Sequence, residues 1–333
     1  MSEIYVAWHR PGGSSLEVLL EGEGKTEFLM APWEGSSEAE PLILRGRVEE
    51  KPLRSDKNVL SGFDFSAQGG TKKGDHISLI TVAKEAISRG EFSKVVLSRT
   101  LDIHTGAIDL EAIVQAHAAL HPNSFSWAVC HPHVGVWFGS TPEILLQGEG
   151  STFCTVSLAG TRMLGSGERD WHEKDCLEQQ IVTDGMLESL ARCGAQRLTV
   201  SDVATVQVGD LEHLRSEVQF EASCAVKDLV SALHPTPAVG GYPREKALDF
   251  IAREEPHDRQ HYTGWVGLRE NGGVRTSLYV NLRCARWENG VTTAFAGGGI
   301  TAGSNPESEW DETELKARSV LKAVQLLSTS KAS

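Results

Sequence analysis

Residues 264–285 decide the fold class and read GWVGLRENGGVRTSLYVNLRCA. Two runs rich in Val, Leu and Tyr flank the tripeptide Asn271-Gly272-Gly273, which is typical of the tight turn in a β-hairpin. Strands joined by a tight turn are antiparallel, so the sequence favours an α+β fold in which helices pack outside antiparallel sheets. Further strands are predicted at residues 92–103, 126–138, 144–147, 152–157 and 292–296, and long helices at 171–192, 244–253 and 309–327.

The N-terminal part of the chain has a weaker pattern. Residues 1–75 contain Pro- and Gly-rich stretches and short strand-like pieces, so we expect a partial layer without a core of its own. From residue 76 onwards the apolar periodicity is strong. We predict one structural domain in which residues 1–75 are a divergent N-terminal part and residues 76–333 carry the functional region.

Composition excludes several classes of protein. The 333 residues include 32 Lys and Arg against 45 Asp and Glu, a formal charge of −13, so we expect no nucleic-acid or membrane partner. No run approaches the about 18 apolar residues of a membrane span, and residues 1–4 begin no signal peptide. Six scattered cysteines without a CxxC pair indicate reduced thiols in a cytoplasmic protein. No phosphate-binding Gly motif follows a predicted strand, so no nucleotide cofactor is expected, and a monomer is compatible with the sequence.

Two predicted helices carry an apolar stripe whose N-terminal end is charged. In helix 171–192 the apolar residues that repeat every four positions lead back to Glu178. In helix 309–327 they lead back to Lys316 and then to Glu312. Two carboxylates at the ends of two buried stripes could meet and hold Mg²⁺, which prefers oxygen ligands. The alternative is that Glu312 and Lys316 form an ordinary surface pair one turn apart.

A lysine and a glutamate stand at unusual places in predicted strands. Lys94 lies in strand 92–103, which is otherwise fit for burial. It is either an edge-strand lysine that discourages aggregation or a general base in an enclosed site. Glu143 lies between a turn and the apolar strand 144–147. It is either a surface turn residue or a general acid at the mouth of a site.

Three further positions are candidates for binding an anion. Arg283 interrupts an apolar run, and a buried arginine needs an anionic partner from the protein or from a substrate. Gly297, in the run AGGG at 296–299, could bring backbone N–H groups to that anion or form a β-bulge. His213 is either a core histidine or a contact to a carboxylate, and the pattern favours neither.

Eight motifs occur in order from about residue 76 to the C-terminus. They are KVVLSR (94–99), TPE (141–143), LAGTR (158–162), KDCLE (174–178), HPTPAVG (234–240), YVNLRC (279–284), AGGGI (296–300) and SNPESEWDETELK (304–316). Together they resemble the motifs of the chorismate-utilising enzymes. This resemblance implies one α+β domain with two antiparallel sheets and flanking helices, and Mg²⁺-dependent chemistry on chorismate.

A few positions differ between branches of that family. Lys94 stands where anthranilate synthases carry Gln, and Ala159 stands where aminodeoxychorismate synthases carry a nucleophilic Lys. Ala238 is similar to the isochorismate synthases, whereas salicylate synthases tend to carry Thr there. The resemblance therefore implies an isochorismate synthase, an isomerase whose product would feed menaquinone, siderophore or salicylate synthesis. A salicylate synthase and a catalytically silent chorismate-binding homologue are the alternatives.

The resemblance also implies a role for each candidate residue. Lys94 would be the base that activates water and Glu143 the acid that protonates the departing hydroxyl. Substrate binding falls to His213, Ala238, Arg283, Gly297 and Lys316, and Mg²⁺ binding to Glu178 and Glu312. Two departures from the family pattern are Gln179, in place of His or Asn, and Gln260, in place of Gly.

Overall fold

The structure is a computed structural model of the chain. It describes residues 4–36, 40–53, 67–165, 170–208 and 211–330, with side chains as far as residue 324. The strands are β1 (Tyr5–His9), β2 (Ser15–Ala31), β3 (Leu42–Pro52), β4 (Gly69–Gly70), β5 (Lys94–His104), β6 (Phe125–His131), β7 (Gly135–Thr141), β8 (Ile144–Glu149), β9 (Thr152–Met163), β10 (Gln196–Val200), β11 (Ala204–Val208), β12 (Leu211–Glu221), β13 (Gly241–Tyr242), β14 (Trp265–Glu270), β15 (Arg275–Val280), β16 (Cys284–Glu288) and β17 (Val291–Ile300). The helices are α1 (Lys73–Ser88), α2 (Leu110–Leu120), α3 (Glu173–Arg192), α4 (Val226–Leu233), α5 (Arg244–Glu254) and α6 (Pro306–Ser330).

The predicted hairpin is present as β14 and β15. Trp265 pairs antiparallel with Val280, and Glu270 at the far end pairs with Arg275. Gly272 in the connection has a φ of 70°, a left-handed conformation that glycine adopts without a steric penalty. The local turn chemistry therefore specifies both the direction and the register of this strand pair.

The strand pairs among the described residues are antiparallel and form two sheets joined by one long hairpin. The first sheet has the order β5–β17–β16–β7–β6–β1–β2, and the second has the order β2–β14–β15–β8–β9–β12. Strand β2 belongs to both, because Val18 pairs with β1 and Leu29 pairs with β14, with a shift of register between Glu21 and Thr26. The predicted α+β fold with two antiparallel sheets and flanking helices is confirmed.

The helices cover the sheets with the stripes that the sequence predicted. Val182 and Met186 of α3 are buried in a cluster with β9 and β12, while Val320 and Val324 of α6 are buried against the first sheet. Complete burial of such a side chain stabilises a fold by about 1.5–3 kcal/mol. Because the apolar ends are anchored, the charged N-terminal turns of both helices are held near the ends of β9 and β17. Among the described residues, none of the helices is long and apolar enough to span a membrane.

Two predicted strands are broken in the structure. The run 126–138 is a hairpin of β6 and β7, and the second arm of the 264–285 stretch divides into β15 and β16 at residues 281–283. Arg283 has a φ of 48° at the second break. Residues 132–134 (Pro-His-Val) and 281–283 (Asn-Leu-Arg) form the two breaks, so a proline and polar residues interrupt the apolar runs there. Helix α2, which the sequence did not predict, has Asp109 as its N-cap residue, and the Asp109 carboxylate accepts a hydrogen bond from Ala112 N.

Candidate active site

One cavity collects eight of the nine predicted site residues. It lies between the ends of β9, β12 and β17, the turn before β8, helices α3 and α6, and the segment 234–240. The predicted residues that line it are Glu143, Glu178, His213, Ala238, Arg283, Gly297, Glu312 and Lys316. The ninth, Lys94, lies directly behind Glu178.

Lys94 is completely buried, with its Nζ 2.9 Å from Oε1 of Glu178. Its strand β5 pairs with β17 on one side and with β13 on the other. The edge-strand interpretation of Lys94 is therefore wrong, because both sides of the strand are occupied. The Nζ atom of Lys94 instead reaches the N-terminal turns of α3, where it lies beside the carboxyl group of Glu178 in the cavity.

The glycine run is regular strand rather than a bulge. Gly297, Gly298 and Gly299 pair in unbroken register with Ser98, Leu97 and Val96 of β5. A Cβ atom at Gly299 would lie 2.2 Å from Glu178 Oε1, and one at Gly297 would lie 2.8 Å from the hydroxyl of Tyr262. A side chain at either position would therefore force these groups of the cavity to move.

Glu312 and Lys316 do form the pair one turn apart, but inside the cavity. Lys316 Nζ is 2.6 Å from Glu312 Oε1 and donates a hydrogen bond to Gly297 O at 2.9 Å. Burial opposes ionisation of Glu312, yet Lys316 holds the pKa of this carboxyl below its ordinary value. Glu312 is therefore an ionised carboxylate that lines the cavity together with Glu178.

A second charged pair was missed by the sequence analysis. Glu309 is almost fully buried and forms an ion pair with Lys174. Burial and the neighbouring Glu312 raise the pKa of Glu309 above its ordinary value. Because Glu309 lies three residues before Glu312 on the same helical face, this spacing was the signal that could have identified it.

Glu143 is buried in the turn between β7 and β8. Its backbone carbonyl accepts a hydrogen bond from Val280 N at 2.9 Å, and Thr141 Oγ1 donates to Val280 O at 2.6 Å. The turn is thus bound to β15, and the surface-turn interpretation is wrong. Burial raises the pKa of Glu143 to about 8, although Lys94 and Lys316 act in the opposite direction. At pH 7 the carboxyl group is mainly protonated and can donate a proton.

Arg283 reaches the cavity from the break between β15 and β16. In the described part of the chain, its guanidinium makes one side-chain hydrogen bond, to Ser319 Oγ at 3.0 Å, and no ion pair with a carboxylate. Burial lowers its pKa to about 10, although the charge of Glu312 opposes this shift. Guanidinium donors therefore remain for an anion that enters the cavity.

His213 is neutral, and one of its ring nitrogens is committed. Burial, reinforced by the charge of Arg283, lowers the pKa of His213 to about 3. Nδ1 lies 3.0 Å from Gly160 O, and a carbonyl can only accept, so we assign the proton to Nδ1. Nε2 is buried and has no hydrogen-bond partner among the described residues. It is consequently an acceptor beside the cavity.

The two departures from the family pattern have clear local roles. Gln179 is buried on α3, where its Nε2 donates to Ser157 Oγ of β9 at 3.0 Å. Gln260 has a φ of 51°, so the backbone keeps the left-handed conformation that a glycine would adopt more easily. Both substitutions therefore leave the framework around the cavity in place.

Comparison with known proteins gives one consistent family. The family model of chorismate binding enzymes matches residues 43–325. Isochorismate synthase EntC of Escherichia coli (strain K12) is 33% identical over 249 residues, which cover 69% of this chain and 62% of that protein. Isochorismate synthase MenF of Bacillus subtilis (strain 168) is 30% identical over 268 residues, which cover 76% of this chain and 56% of that protein. The chain thus spans less than two thirds of the length of these curated relatives.

Two solved structures share the fold. The crystal structure of DhbC from Bacillus anthracis superposes with a TM-score of 0.79 at 23% identity, covering 98% of this chain and 97% of the other. The structure of MenF from Escherichia coli superposes with a TM-score of 0.80 at 22% identity, covering 97% and 89%. The α+β architecture is therefore that of these proteins along nearly the whole chain.

Proposed function

We propose, because this chain belongs to the chorismate-binding enzyme family, that it is an isochorismate synthase that converts chorismate into isochorismate. The observation that carries the proposal is the buried, proton-bearing carboxyl of Glu143 in the same cavity as Glu178, Glu312 and Arg283. Water adds at ring carbon C2 and the hydroxyl leaves from C4 as water, so the reaction is an isomerisation without a net change of atoms.

Glu143 supplies the proton that the departing C4 hydroxyl needs. A pKa of about 8 keeps this carboxyl protonated at neutral pH, whereas an ordinary carboxyl would be ionised. Lys94, in its neutral form, takes the proton of the water that attacks C2. A general acid and a general base each contribute about 10²–10⁴-fold to such a reaction.

The donor set of the cavity fits a magnesium ion. No group of three or more His, Cys, Asp or Glu side chains with metal-binding geometry occurs in the described ranges. Two carboxylates, Glu178 and Glu312, line one cavity, and Mg²⁺ is commonly held by one or two carboxylates together with water and substrate. When bound there, the ion would supply positive charge for the ring carboxylate of chorismate.

The remaining residues bind and orient the substrate. Arg283 and the backbone of Gly297 receive the carboxylate of the enolpyruvyl group, while Lys316 assists the ring carboxylate. His213 Nε2, an acceptor, takes a hydrogen bond from a hydroxyl of the substrate or of water. This assignment replaces the carboxylate contact expected from the resemblance, because the Nδ1 proton is directed to Gly160 O.

Small side chains at two positions support the branch of the family. Ala159 and Ala238 both line the cavity. No amine nucleophile is present at residue 159, and Ala238 adds no hydroxyl or bulk to the wall. Both features favour release of isochorismate over amine addition or elimination of pyruvate.

One assay tests the proposal. Purified protein is incubated with chorismate and Mg²⁺, and the products are resolved by chromatography. We expect isochorismate without stoichiometric pyruvate, and a Lys94→Ala variant that is folded but nearly inactive. Stoichiometric pyruvate would instead identify a salicylate synthase, and unchanged chorismate would identify a silent chorismate-binding homologue.

A single-domain organisation and a cytoplasmic location stay predictions.

A further inference from the structure

A buried ion pair lies behind the apolar wall of the cavity. The side chains of Arg259 and Glu255, which are four residues apart in sequence, are almost completely buried. Arg259 Nε donates to Glu255 Oε1 at 2.6 Å, and Nη2 donates to Oε2 at 2.9 Å. The same carboxylate accepts hydrogen bonds from Ser98 N at 2.7 Å and from Ser98 Oγ at 2.9 Å. The carboxylate is thus bonded to β5 as well as to its arginine.

All five N–H groups of Arg259 are used within the protein. Besides the two bonds to Glu255, Nη2 donates to Val96 O at 2.7 Å. Nη1 donates to Val239 O at 3.0 Å and to Thr263 Oγ1 at 3.3 Å. A guanidinium has five donors, so none remains for a substrate. Arg259 can therefore influence the reaction only through the groups that it holds.

The carbonyl groups that Arg259 holds, those of Val96 and Val239, belong to two walls of the cavity. Val96 belongs to β5, two residues after Lys94, and Val239 follows Ala238 in the segment between α4 and β13. Both valines line the cavity. In the described residues Arg259 is the side chain that donates to both carbonyls, and it acts alongside the backbone hydrogen bond from Val96 N to Gly240 O at 3.0 Å.

We propose that Arg259 is a positioning residue that holds the Ala238–Val239 wall at a fixed distance from the strand carrying Lys94. This inference rests on the proposed function, because its consequence is the position of the substrate ring relative to the base. Glu255 orients the guanidinium, and the indole of Trp33, with its ring centre 4.4 Å from the guanidinium carbon, covers the guanidinium face. The arrangement is rigid because each bond direction of the planar fork is occupied.

The first test compares two arginine-to-lysine variants. In Arg259→Lys three donors replace five in a different geometry, so the two carbonyls lose their common partner. We expect kcat to fall by about 10–100-fold with little change in KM or in the Mg²⁺ concentration for half-maximal activity. Arg10→Lys is the matched control, because Arg10 also binds two carboxylates, Glu17 and Glu270, away from the cavity. Equal kcat values for Arg259→Lys and Arg10→Lys would overturn the proposal.

A double variant separates positioning from folding. Arg259→Met with Glu255→Leu removes both charges together and leaves no unpaired buried ion, a replacement that proteins often tolerate. We expect a folded protein with a cooperative thermal transition and a kcat reduced like that of Arg259→Lys. A folded double variant with wild-type kcat would show that the pair serves stability alone.

Hydrogen exchange supplies a readout that does not depend on catalysis. We call the hydrogen bonds from Arg259 to Val96 O and Val239 O the Arg259 clamp. Loss of this clamp should increase amide exchange in the peptides that contain residues 94–99 and 234–240, and Arg10→Lys should leave both unchanged. Unchanged exchange in Arg259→Lys would contradict the clamp. If wild-type protein failed to form isochorismate while exchange changed as expected, the proposed function would fail and the clamp would stand.

Discussion

The charged face of the cavity, formed by Glu143, Glu178, Arg283 and Glu312, contains a glutamate and an arginine that differ from the buried pair Arg259–Glu255 behind the Ala238–Val239 wall. Behind the Ala238–Val239 wall, Glu255 is buried but paired, so Arg259 holds its pKa below the ordinary value against the effect of burial. On the charged face, Glu143 is buried without an ion pair in the described residues, and its pKa rises to about 8. Burial alone therefore does not distinguish a structural glutamate from a reactive one, whereas the presence of a partner does.

The two arginines repeat this contrast. In the part of the chain that the structure describes, Arg259 uses five donors on protein atoms, while Arg283 makes one side-chain hydrogen bond, to Ser319. A buried guanidinium with unused donors costs free energy unless an anion binds to it. The charged face therefore keeps donors for an anion, whereas the ion pair behind the wall has none left.

Removal of Mg²⁺ should have the largest effect on activity, because the proposed ion would supply the positive charge that binds the ring carboxylate of chorismate. We expect excess EDTA to abolish turnover and added Mg²⁺ to restore it. Glu312→Gln should raise the Mg²⁺ concentration needed for half-maximal rate without unfolding the protein, which circular dichroism can check. Full activity in excess EDTA would exclude the proposed two-carboxylate site.

Loss of the proton donor should be next in size. We expect Glu143→Gln to lower kcat by about 10²–10⁴-fold, since an amide cannot protonate the leaving hydroxyl. Because the carboxyl must be protonated to act, kcat/KM of the wild type should decrease as the pH rises through about 8. Glu149→Gln, at an exposed position at the end of β8, should retain wild-type rates. Near-normal turnover by Glu143→Gln would remove the acid from the mechanism.

Replacement of Arg283 should affect binding more than chemistry. In Arg283→Lys the planar pair of donors is lost but the charge stays, so we expect KM for chorismate to rise by about 10–100-fold. Steady-state kinetics at saturating Mg²⁺ measure this change, and the kcat effect of Arg259→Lys provides the opposite signature. An unchanged KM would mean that the unused donors of Arg283 do not meet the substrate.

Enlarging the wall should have the smallest effect. Ala238→Thr adds a methyl and a hydroxyl group to the cavity lining, so we expect isochorismate formation to decrease by about tenfold or less. Pyruvate should be measured alongside isochorismate, because a bulkier wall should shift the bound ring toward the geometry for elimination. A variant with wild-type rate and products would show that residue 238 does not influence the branch of chemistry.

Much of the candidate site was predictable, because its residues lie in local patterns. The four-residue repeats of α3 and α6 led directly to Glu178, Lys316 and Glu312, since apolar spacing determines which helical face is buried. Lys94 and Glu143 were recognisable as unusual residues next to apolar strands. Their surroundings were not, because both alternatives for each residue have the same local sequence.

The sequence by itself determined the hairpin at Asn271-Gly272-Gly273, the antiparallel class and the charged ends of two helices. Each of these depends on turn chemistry or on spacing within one element. Only the tertiary structure decided which buried groups are paired. Arg259 meets the carbonyl of Val96 across 163 residues of chain, whereas Glu143 is buried without an ion-pair partner among the residues that the structure describes. Protonation follows from those distant contacts, because burial and partners, rather than residue type, determine the stable form of a buried acid.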